Sequence, residues 1–168
     1  MSEEFEIAIV GSGPSGLSAA ARAAQKEISH ILLETTDHAS DTIYKFQKRK
    51  FVMATPDVMP LRSDTSFAAG TREEILEKWD EEIEHQKVNI SYNSEVTGIS
   101  GEKGNFTLEV KGGRTIKANH VVLSIGMQGN LRKLDVDGDD WEYVQYQLDD
   151  PEEYEDETII VVGEIGRA

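Results

Sequence analysis

A glycine-rich run near the start of the chain has the residue types and spacing to hold a phosphate group. The run Gly-Ser-Gly-Pro-Ser-Gly fills residues 11–16, between an apolar segment at 7–10 and an alanine-rich segment at 17–26. In a strand–loop–helix unit, the first glycine permits a tight turn, the second lets the backbone approach a pyrophosphate, and the third allows close helix packing. The helix N-terminus adds unpaired N–H groups and the positive end of a dipole. The pattern predicts a dinucleotide site formed by Gly11, Ser12, Gly13, Pro14, Ser15 and Gly16.

A carboxylate further along the chain supports this prediction. Glu34 follows the apolar residues 31–33 and lies eighteen positions after Gly16, close to the spacing of about 20 residues at which an acidic residue binds a ribose. A carboxylate accepts hydrogen bonds from two ribose hydroxyls and repels a 2′-phosphate. We therefore expect FAD or NAD rather than NADP, bound by Glu34 and the adjacent Thr35.

Composition limits the classes of function. The 168 residues are 38% hydrophobic, which is enough for one domain with a core, and they include no cysteine, so no thiolate site or redox-active dithiol is expected. A net charge of −15 argues against a nucleic-acid partner. The N-terminus is acidic and no apolar run has the length of a membrane span, so we expect a cytoplasmic protein that does not bind membranes. The histidines and aspartates show no metal-ligand spacing, and no metal is expected.

The patterning predicts an α/β fold. Residues 5–10 and 30–34 are expected as strands joined by a helix over 14–27, with Pro14 at its first position. The predicted buried face of this helix consists of Leu17, Ala20, Ala21, Ala24 and Ile28. A second helix is expected over 72–87, where Thr71 and Glu74 can form a capping box and the apolar face carries Ile75, Leu76, Trp79 and Ile83.

The pattern changes to short strands after residue 88. Strands are expected at 88–92, 95–100, 106–110 and 115–117, separated by glycines, and together they suggest a small antiparallel meander. The apolar segment 121–126 then suits a return to the central parallel sheet. The predicted fold class is therefore a Rossmann-like FAD/NAD(P)-binding fold, with a central parallel sheet, helices and a small antiparallel β-meander.

Two segments of opposite charge stand out. Residues 135–157 carry twelve acidic side chains and no basic one, and we expect a solvated connector that holds a short strand at 141–147. The basic run comprises Lys45, Lys48, Arg49 and Lys50. It is either a solvated turn or a local positive patch beside a cofactor phosphate.

The chain resembles the FAD-binding domain of the pyridine nucleotide-disulfide oxidoreductase superfamily, in particular its thioredoxin-reductase-like flavoproteins. The matching features are the 11–16 fingerprint with Glu34, and the segment 121–126, in which Ser124, Ile125 and Gly126 replace the Ala-Thr-Gly of a family motif. The order of elements from residue 5 to about residue 135 also resembles that of the family.

The resemblance implies roles for individual residues. The fingerprint would hold the FAD pyrophosphate, Glu34 the adenosine ribose, and Val96 the adenine through its backbone, while residues 124–126 would pass near the cofactor. The segment after Glu34 lines the flavin in the family, which implies Tyr44, Phe46 and Gln47 as contacts of the isoalloxazine ring. A core role for Tyr44 and Phe46 is the alternative.

The resemblance also implies a division of the chain. Residues 1–134 would form the FAD-binding domain and 135–157 an interdomain connector. Residues 158–168 would begin a truncated NAD(P)-binding domain, whose glycine motif is interrupted by Ile165. In the alternative, they are the closing strand of the FAD domain, with Glu164 replacing the family's aspartate near the flavin. We therefore expect a fragment that is inactive in isolation.

The expected function is the FAD-binding part of an NAD(P)H-dependent flavin oxidoreductase. In such an enzyme a hydride passes from the nicotinamide to the flavin and on to an acceptor, which the sequence does not identify. One alternative is a non-catalytic nucleotide-binding module whose acidic segment docks a basic partner. The other is a single-domain NAD-dependent dehydrogenase, disfavoured because we expect no Tyr-x-x-x-Lys or His-Asp pair where a hydride acceptor would need acid catalysis. A homodimer and a redox partner domain both remain open as partners.

Overall fold

Four parallel and two antiparallel strands form one mixed sheet in the computed structural model, which describes residues 3–54, 63–65, 68–127 and 133–163. The strand order is β5-β2-β1-β8-β7-β6, and a two-stranded ribbon pairs β3 with β4. The elements in chain order are β1 (Glu3–Val10), α1 (Pro14–Gln25), β2 (His30–Leu33), α2 (Asp41–Tyr44), β3 (Phe51–Val52), β4 (Gly70–Thr71), α3 (Arg72–His85), β5 (Ile90–Ser91), β6 (Val96–Glu102), β7 (Asn105–Val110) and β8 (Arg114–Leu123). The expected α/β fold with a parallel sheet and an antiparallel meander is confirmed.

Helix α1 packs on the sheet through small residues. Pro14 stands at its first turn, as expected, and Leu17, Ala20 and Ala21 are buried. The prediction was wrong for Ala24 and Ile28, which are only half-buried. The helix ends at Gln25, and its buried face instead includes Gly16, Ala20 and Ala23 at i, i+4 and i+7 spacing.

Helix α3 begins at the predicted capping box. The Thr71 hydroxyl accepts a hydrogen bond from the Glu74 N–H at 3.3 Å, and the Glu74 carboxylate accepts one from the Thr71 N–H at 2.8 Å. Ile75, Trp79 and Ile83 are buried against Ile9, Leu17 and Leu32, and Leu76 packs at the margin of the same cluster. Both α1 and α3 therefore cover one face of the sheet.

The meander differs in two ways from the prediction. The segment 88–92 does not belong to it, because only Ile90–Ser91 forms a strand and this strand pairs in parallel with β2 at the opposite edge. The segments 115–117 and 121–126 are not separate strands but parts of the long strand β8, which ends at Leu123. Its first half pairs antiparallel with β7 and its residues from Ile116 onwards pair parallel with β1, which merges the meander with the central sheet.

The sheet curls so that the meander covers its second face. Strands β5 and β8 are three positions apart in the sheet, about 14 Å if the sheet were flat. Even so, Arg114 at the start of β8 donates a hydrogen bond to the Ser91 hydroxyl of β5 at 2.8 Å. The curl encloses a second core cluster formed by Ala8, Ile31, Leu33, Leu108, Val110, Ile116 and Ala118.

The acidic segment 135–157 contains no strand among its described residues, so the short strand expected at 141–147 is wrong. Its backbone N–H groups bond locally instead, from Trp141 to the Gly138 carbonyl and from Val144 to the Trp141 carbonyl, and a 3-10 turn spans Pro151–Tyr154. Residues 159–162 are exposed and lie outside the described strands, while Glu164 and Ile165 lie outside the described residues. None of the described helices has the length and apolar character to cross a membrane.

Candidate functional site

Three neighbouring parallel strands end at the same edge of the sheet, and each is followed by a predicted site residue. Val10 at the end of β1 is in register with Leu33 of β2 on one side and with Leu123 of β8 on the other. Gly11, Glu34 and Ser124 therefore leave the sheet side by side. In open α/β sheets, ligands bind at the carboxyl ends of the strands where the connections switch direction, which is the position of this edge.

The three glycines of the 11–16 loop lie in different environments. A Cβ atom at Gly11 would lie 2.5 Å from the Ser124 carbonyl oxygen, and Gly11 has a φ of +95°. A Cβ at Gly16 would lie 1.9 Å from the Gly11 carbonyl oxygen. A Cβ at Gly13 would meet nothing within 4 Å. The first and third glycines thus serve the packing of the loop, while the second leaves open space beside the start of α1.

The start of α1 is suited to an anion. Gly13 is its N-cap, no described side chain caps it, and Pro14 and Ser15 are exposed in its first turn. The twelve-residue helix presents its positive dipole end next to the open space at Gly13. These features fit a phosphate group held by backbone N–H groups.

Ser124 connects the end of β8 to the glycine loop. Its N–H donates to the Val10 carbonyl at 2.8 Å, and its Cβ lies 3.3 Å from the Cβ position at Gly16. Ile125 and Gly126 follow it as exposed residues, and Gly126 has a φ of +65°. The strand expected at 121–126 therefore ends before these three residues, which form a turn at the edge of the site.

The Glu34 carboxylate is buried, with 7% of the residue exposed, and the protein saturates it with hydrogen bonds. Oε2 accepts from the N–H of Ser12 at 2.9 Å and from its hydroxyl, and Oε1 accepts from the N–H and hydroxyl of Thr36 at 3.0 and 3.1 Å. Burial acts to raise the pKa of Glu34, but the hydrogen bonds from Ser12 and Thr36 outweigh it and lower the pKa. The carboxylate is therefore held in its charged form.

Sequence reasoning missed the turn that supports Glu34. The Thr36 hydroxyl donates to the carboxylate of Glu34, two positions earlier in the chain. The Ser40 N–H donates to the Ser12 hydroxyl at 3.1 Å. Ser40 adopts a φ of +60°, in the left-handed region, to make this contact. The signal for Thr36 is a hydroxyl residue two positions after the carboxylate, a spacing that favours a local turn.

Thr35 follows Glu34 directly, and Val96 begins a strand whose approach contacts the Glu34 backbone. Thr35 is exposed, and Val96 is half-buried at the start of β6. The Ser94 N–H donates to the Glu34 carbonyl at 2.7 Å, which brings the approach to β6 next to the end of β2.

Tyr44 is 47% exposed and is not a core residue. Its ring stacks on the ring of His38 with centroids 3.7 Å apart, and the Arg72 guanidinium lies 5.1 Å from its ring centroid. Phe46, in contrast, is half-buried against the cluster of α1 and α3, which agrees with its alternative core role. Gln47 is also half-buried.

The basic run is an exposed turn whose charges are engaged by protein groups. Lys45 pairs with Asp41 at 2.6 Å, Lys48 with Asp150 at 2.6 Å, and Arg49 with Glu152. The Lys50 ammonium lies 4.5 Å from the centroid of the Phe46 ring. These contacts favour the solvated turn over a positive patch free to hold a phosphate.

Two acid–base pairs that bear on the dehydrogenase alternative were missed by sequence reasoning. Tyr44 and Lys48 have the Tyr-x-x-x-Lys spacing, and the His38 ring contacts Asp37 at 2.7 Å and Asp41 at 3.2 Å. The Lys48 ammonium is engaged by Asp150, which raises the pKa of Lys48 through their hydrogen bond. A lysine held in this way is not placed to promote proton transfer from Tyr44.

Comparison with known proteins places this geometry in context. The family model described as pyridine nucleotide-disulphide oxidoreductase matches residues 8–165. A ferredoxin–NADP reductase of Picrophilus torridus is 29% identical over 166 residues, which cover 96% of this chain and 47% of that protein. A thioredoxin reductase of Peptoclostridium litorale is 24% identical over 131 residues, covering 78% of this chain and 37% of the other.

Solved structures share the fold. A bacillithiol disulfide reductase from Staphylococcus aureus superposes with a TM-score of 0.76 at 21% identity, covering 90% of this chain and 47% of that one. The thioredoxin reductase of Lactococcus lactis superposes with a TM-score of 0.61 at 22% identity, covering 79% and 38%. The chain spans about half the length of the curated relatives that it matches first.

Proposed function

The chain belongs to the pyridine nucleotide-disulphide oxidoreductase family, and from this premise we propose that it is the FAD-binding part of an NAD(P)H-dependent flavin oxidoreductase. The family uses a flavin and NAD(P)H. Within the proposal, residues 1–134 form the FAD-binding domain and 135–157 connect it to residues 158–168. These last residues either open an NAD(P)-binding domain or close the FAD domain.

One observation carries the proposal, namely the convergence of Gly11, Glu34 and Ser124 at the ends of three adjacent strands. Beside them, Gly13 leaves the space that a pyrophosphate needs, and α1 presents its N–H groups to that space. A site built for packing alone would need Gly11 and Gly16 but not the open position at Gly13. The arrangement therefore supports a phosphate-bearing ligand more than a structural loop.

Glu34 selects the nucleotide in this proposal. The two ribose hydroxyls would replace the hydroxyl donors of Ser12 and Thr36 at the carboxylate, while the two backbone N–H donors stay in place. The lowered pKa of Glu34 keeps the negative charge that repels a ribose 2′-phosphate. FAD, which has no such phosphate, fits this carboxylate.

The flavin, when bound, supplies the hydride chemistry, and the residues of this chain bind and orient it. In the proposal, residues 11–16 bind the pyrophosphate and the backbone of Val96 contacts the adenine. Ser124, Ile125 and Gly126 lie near the cofactor. Tyr44 and Gln47 are the proposed contacts of the flavin ring, and Thr35 flanks the ribose. The 168 residues hold no cysteine, so electrons leave the flavin for an acceptor outside this segment.

Calorimetric titration of the chain with FAD, NAD and ADP tests the proposal. We expect FAD to bind more tightly than ADP, because ADP lacks the flavin that Tyr44 and Gln47 contact. We also expect FAD to bind more tightly than NAD. Equal affinity for FAD and ADP would instead favour a nucleotide-binding module without a flavin site, and tighter binding of NAD would favour a dehydrogenase.

A further inference from the structure

The turn between α2 and β3 contacts both the start of α3 and the acidic connector. This turn, residues 45–50, carries all four cations of the basic run and directly follows Tyr44. Arg49 within it has a φ of +63°, which an L-residue adopts only when its surroundings enforce it. The contacts of the turn explain that conformation.

The start of α3 holds one side of the turn. The Arg72 N–H donates to the Lys50 carbonyl at 2.8 Å, and the Arg49 N–H donates to the Glu73 carboxylate at 3.2 Å. The Arg72 guanidinium also donates two hydrogen bonds to the Tyr44 carbonyl, at 2.9 and 2.6 Å. Three backbone groups on this side are therefore fixed by one helix terminus.

The acidic connector holds the other side, although it is about a hundred positions away in the chain. The Lys48 N–H donates to the Asp149 carbonyl at 2.9 Å, and the Lys48 ammonium donates to the Asp150 carboxylate at 2.6 Å. The Gln147 side-chain amide donates to the Lys45 carbonyl. The Arg49 guanidinium is paired with Glu152, which extends the contact along the 3-10 turn.

Hydrogen bonds as well as charges define the contact between the turn and the connector. Exposed ion pairs alone are weak and screened by salt. Here a backbone hydrogen bond and an amide-to-carbonyl bond flank the Lys48–Asp150 pair and set its register. The Asp150 side chain is only 13% exposed and also accepts from the Glu152 N–H at 3.2 Å, which fixes the carboxylate at the start of the 3-10 turn.

We propose that the acidic connector is a positioning element for the 45–50 turn, held there by the Lys48–Asp150 contact, rather than a free linker. The connector and the start of α3 both bind the turn and so hold Tyr44 and Gln47 in place. Through those two residues, and resting on the proposed function, the connector sets the affinity for the flavin end of FAD. Lys48 and Asp150 are positioning residues in this scheme.

Hydrogen–deuterium exchange on charge-reversed variants of the chain tests the docking without any ligand. Lys48→Glu and Asp150→Lys are each expected to speed exchange severalfold in peptides spanning both 44–50 and 145–153. The double variant restores the ion pair with its polarity exchanged but not the bond from the Glu152 N–H to the Asp150 carboxylate, so its exchange is expected to return part of the way towards that of the wild type. Lys45→Glu is the matched control: it makes the same change of charge but breaks only the pair with Asp41, and exchange in the connector should not change.

Titrations of the same variants test the link to the flavin. Lys48→Glu is expected to weaken FAD binding severalfold and to leave ADP binding unchanged, with recovery in the double variant. Unchanged exchange in both Lys48→Glu and Asp150→Lys overturns the docking. Faster exchange with unaltered FAD affinity overturns the positioning of Tyr44 and Gln47. If the wild type binds neither ligand, the proposed function fails, and the exchange data alone decide whether the connector is docked.

Discussion

The backbone N–H of Ser12 donates to the Glu34 carboxylate at 2.9 Å, although the two residues are 22 positions apart. Ser12 is fully buried within the glycine loop, and Glu34 follows the neighbouring strand. The bond therefore ties the proposed phosphate-binding loop to the proposed ribose-binding carboxylate before any ligand arrives. A site held in this way loses less conformational entropy when it binds.

Replacement of Gly16 by alanine should disrupt the fold. The added Cβ would lie 1.9 Å from the Gly11 carbonyl oxygen, and backbone must move to relieve the contact. We expect a loss of about 3 kcal/mol or more in the free energy of unfolding, measured by urea denaturation. Gly13→Ala is the matched control, because its Cβ meets nothing within 4 Å and its φ of −68° suits alanine. Equal stability of the two variants would contradict the packing role of Gly16.

The charge of Glu34 should make stability depend on pH. Its folded pKa is lowered, so its contribution is present above the ordinary value near 4.5 and is lost as the pH falls through the folded pKa. We expect Glu34→Gln to lose about 1–3 kcal/mol at pH 7, because an NH2 group replaces one carboxylate oxygen and two of the four donors lose their acceptor. The difference from the wild type should shrink as the pH approaches 3.

Urea denaturation of both proteins across this pH range measures the effect. Glu77→Gln, on the exposed side of α3, is the control for the removal of one negative charge. A difference between the wild type and Glu34→Gln that stays constant down to pH 3 would refute the assignment.

The two tryptophans should behave differently. Trp79 lies on the buried face of α3 and is 4% exposed, whereas Trp141 in the connector is 69% exposed. We expect Trp79→Ala to cost about 3–5 kcal/mol and Trp141→Ala to cost less than about 0.5 kcal/mol, as judged by thermal unfolding. If Trp79→Ala fails to fold, Trp79→Phe should show a smaller loss in the same direction. Comparable losses at both positions would show that the connector contributes to the core.

The loop and its carboxylate could be predicted because their signals are local. Gly11, Gly16 and Glu34 are defined by short spacings within one strand–helix–strand unit, and the capping box of α3 spans four residues. The structure confirms the strand–helix–strand unit and the capping box. It differs at Ile28, which lies beyond the end of α1 at Gln25, and at Ala24, which lies within α1 but is only half-buried.

Other features depend on contacts that no local pattern contains. The contact from Arg114 to Ser91 requires the sheet to curl. The pairing of Ile90–Ser91 with β2 was missed because alternation along a strand does not specify its partner. The pair Lys48–Asp150 joins residues 102 positions apart. The charge composition identified the basic and the acidic segment but did not predict which of their residues pair.

The proposed FAD site depends on the open space at Gly13, which would take the pyrophosphate beside Glu34. The most direct test is a titration of the wild-type chain and of Gly13→Ala with FAD, followed by the quenching of flavin fluorescence and accompanied by thermal unfolding of both proteins. We predict saturable one-to-one binding by the wild type, and binding weakened by about tenfold or more in Gly13→Ala with an unchanged melting temperature, because a methyl group would occupy the space for the phosphates. Absence of FAD binding by the wild type, or equal affinity of the two proteins for FAD, would contradict a pyrophosphate site at Gly13.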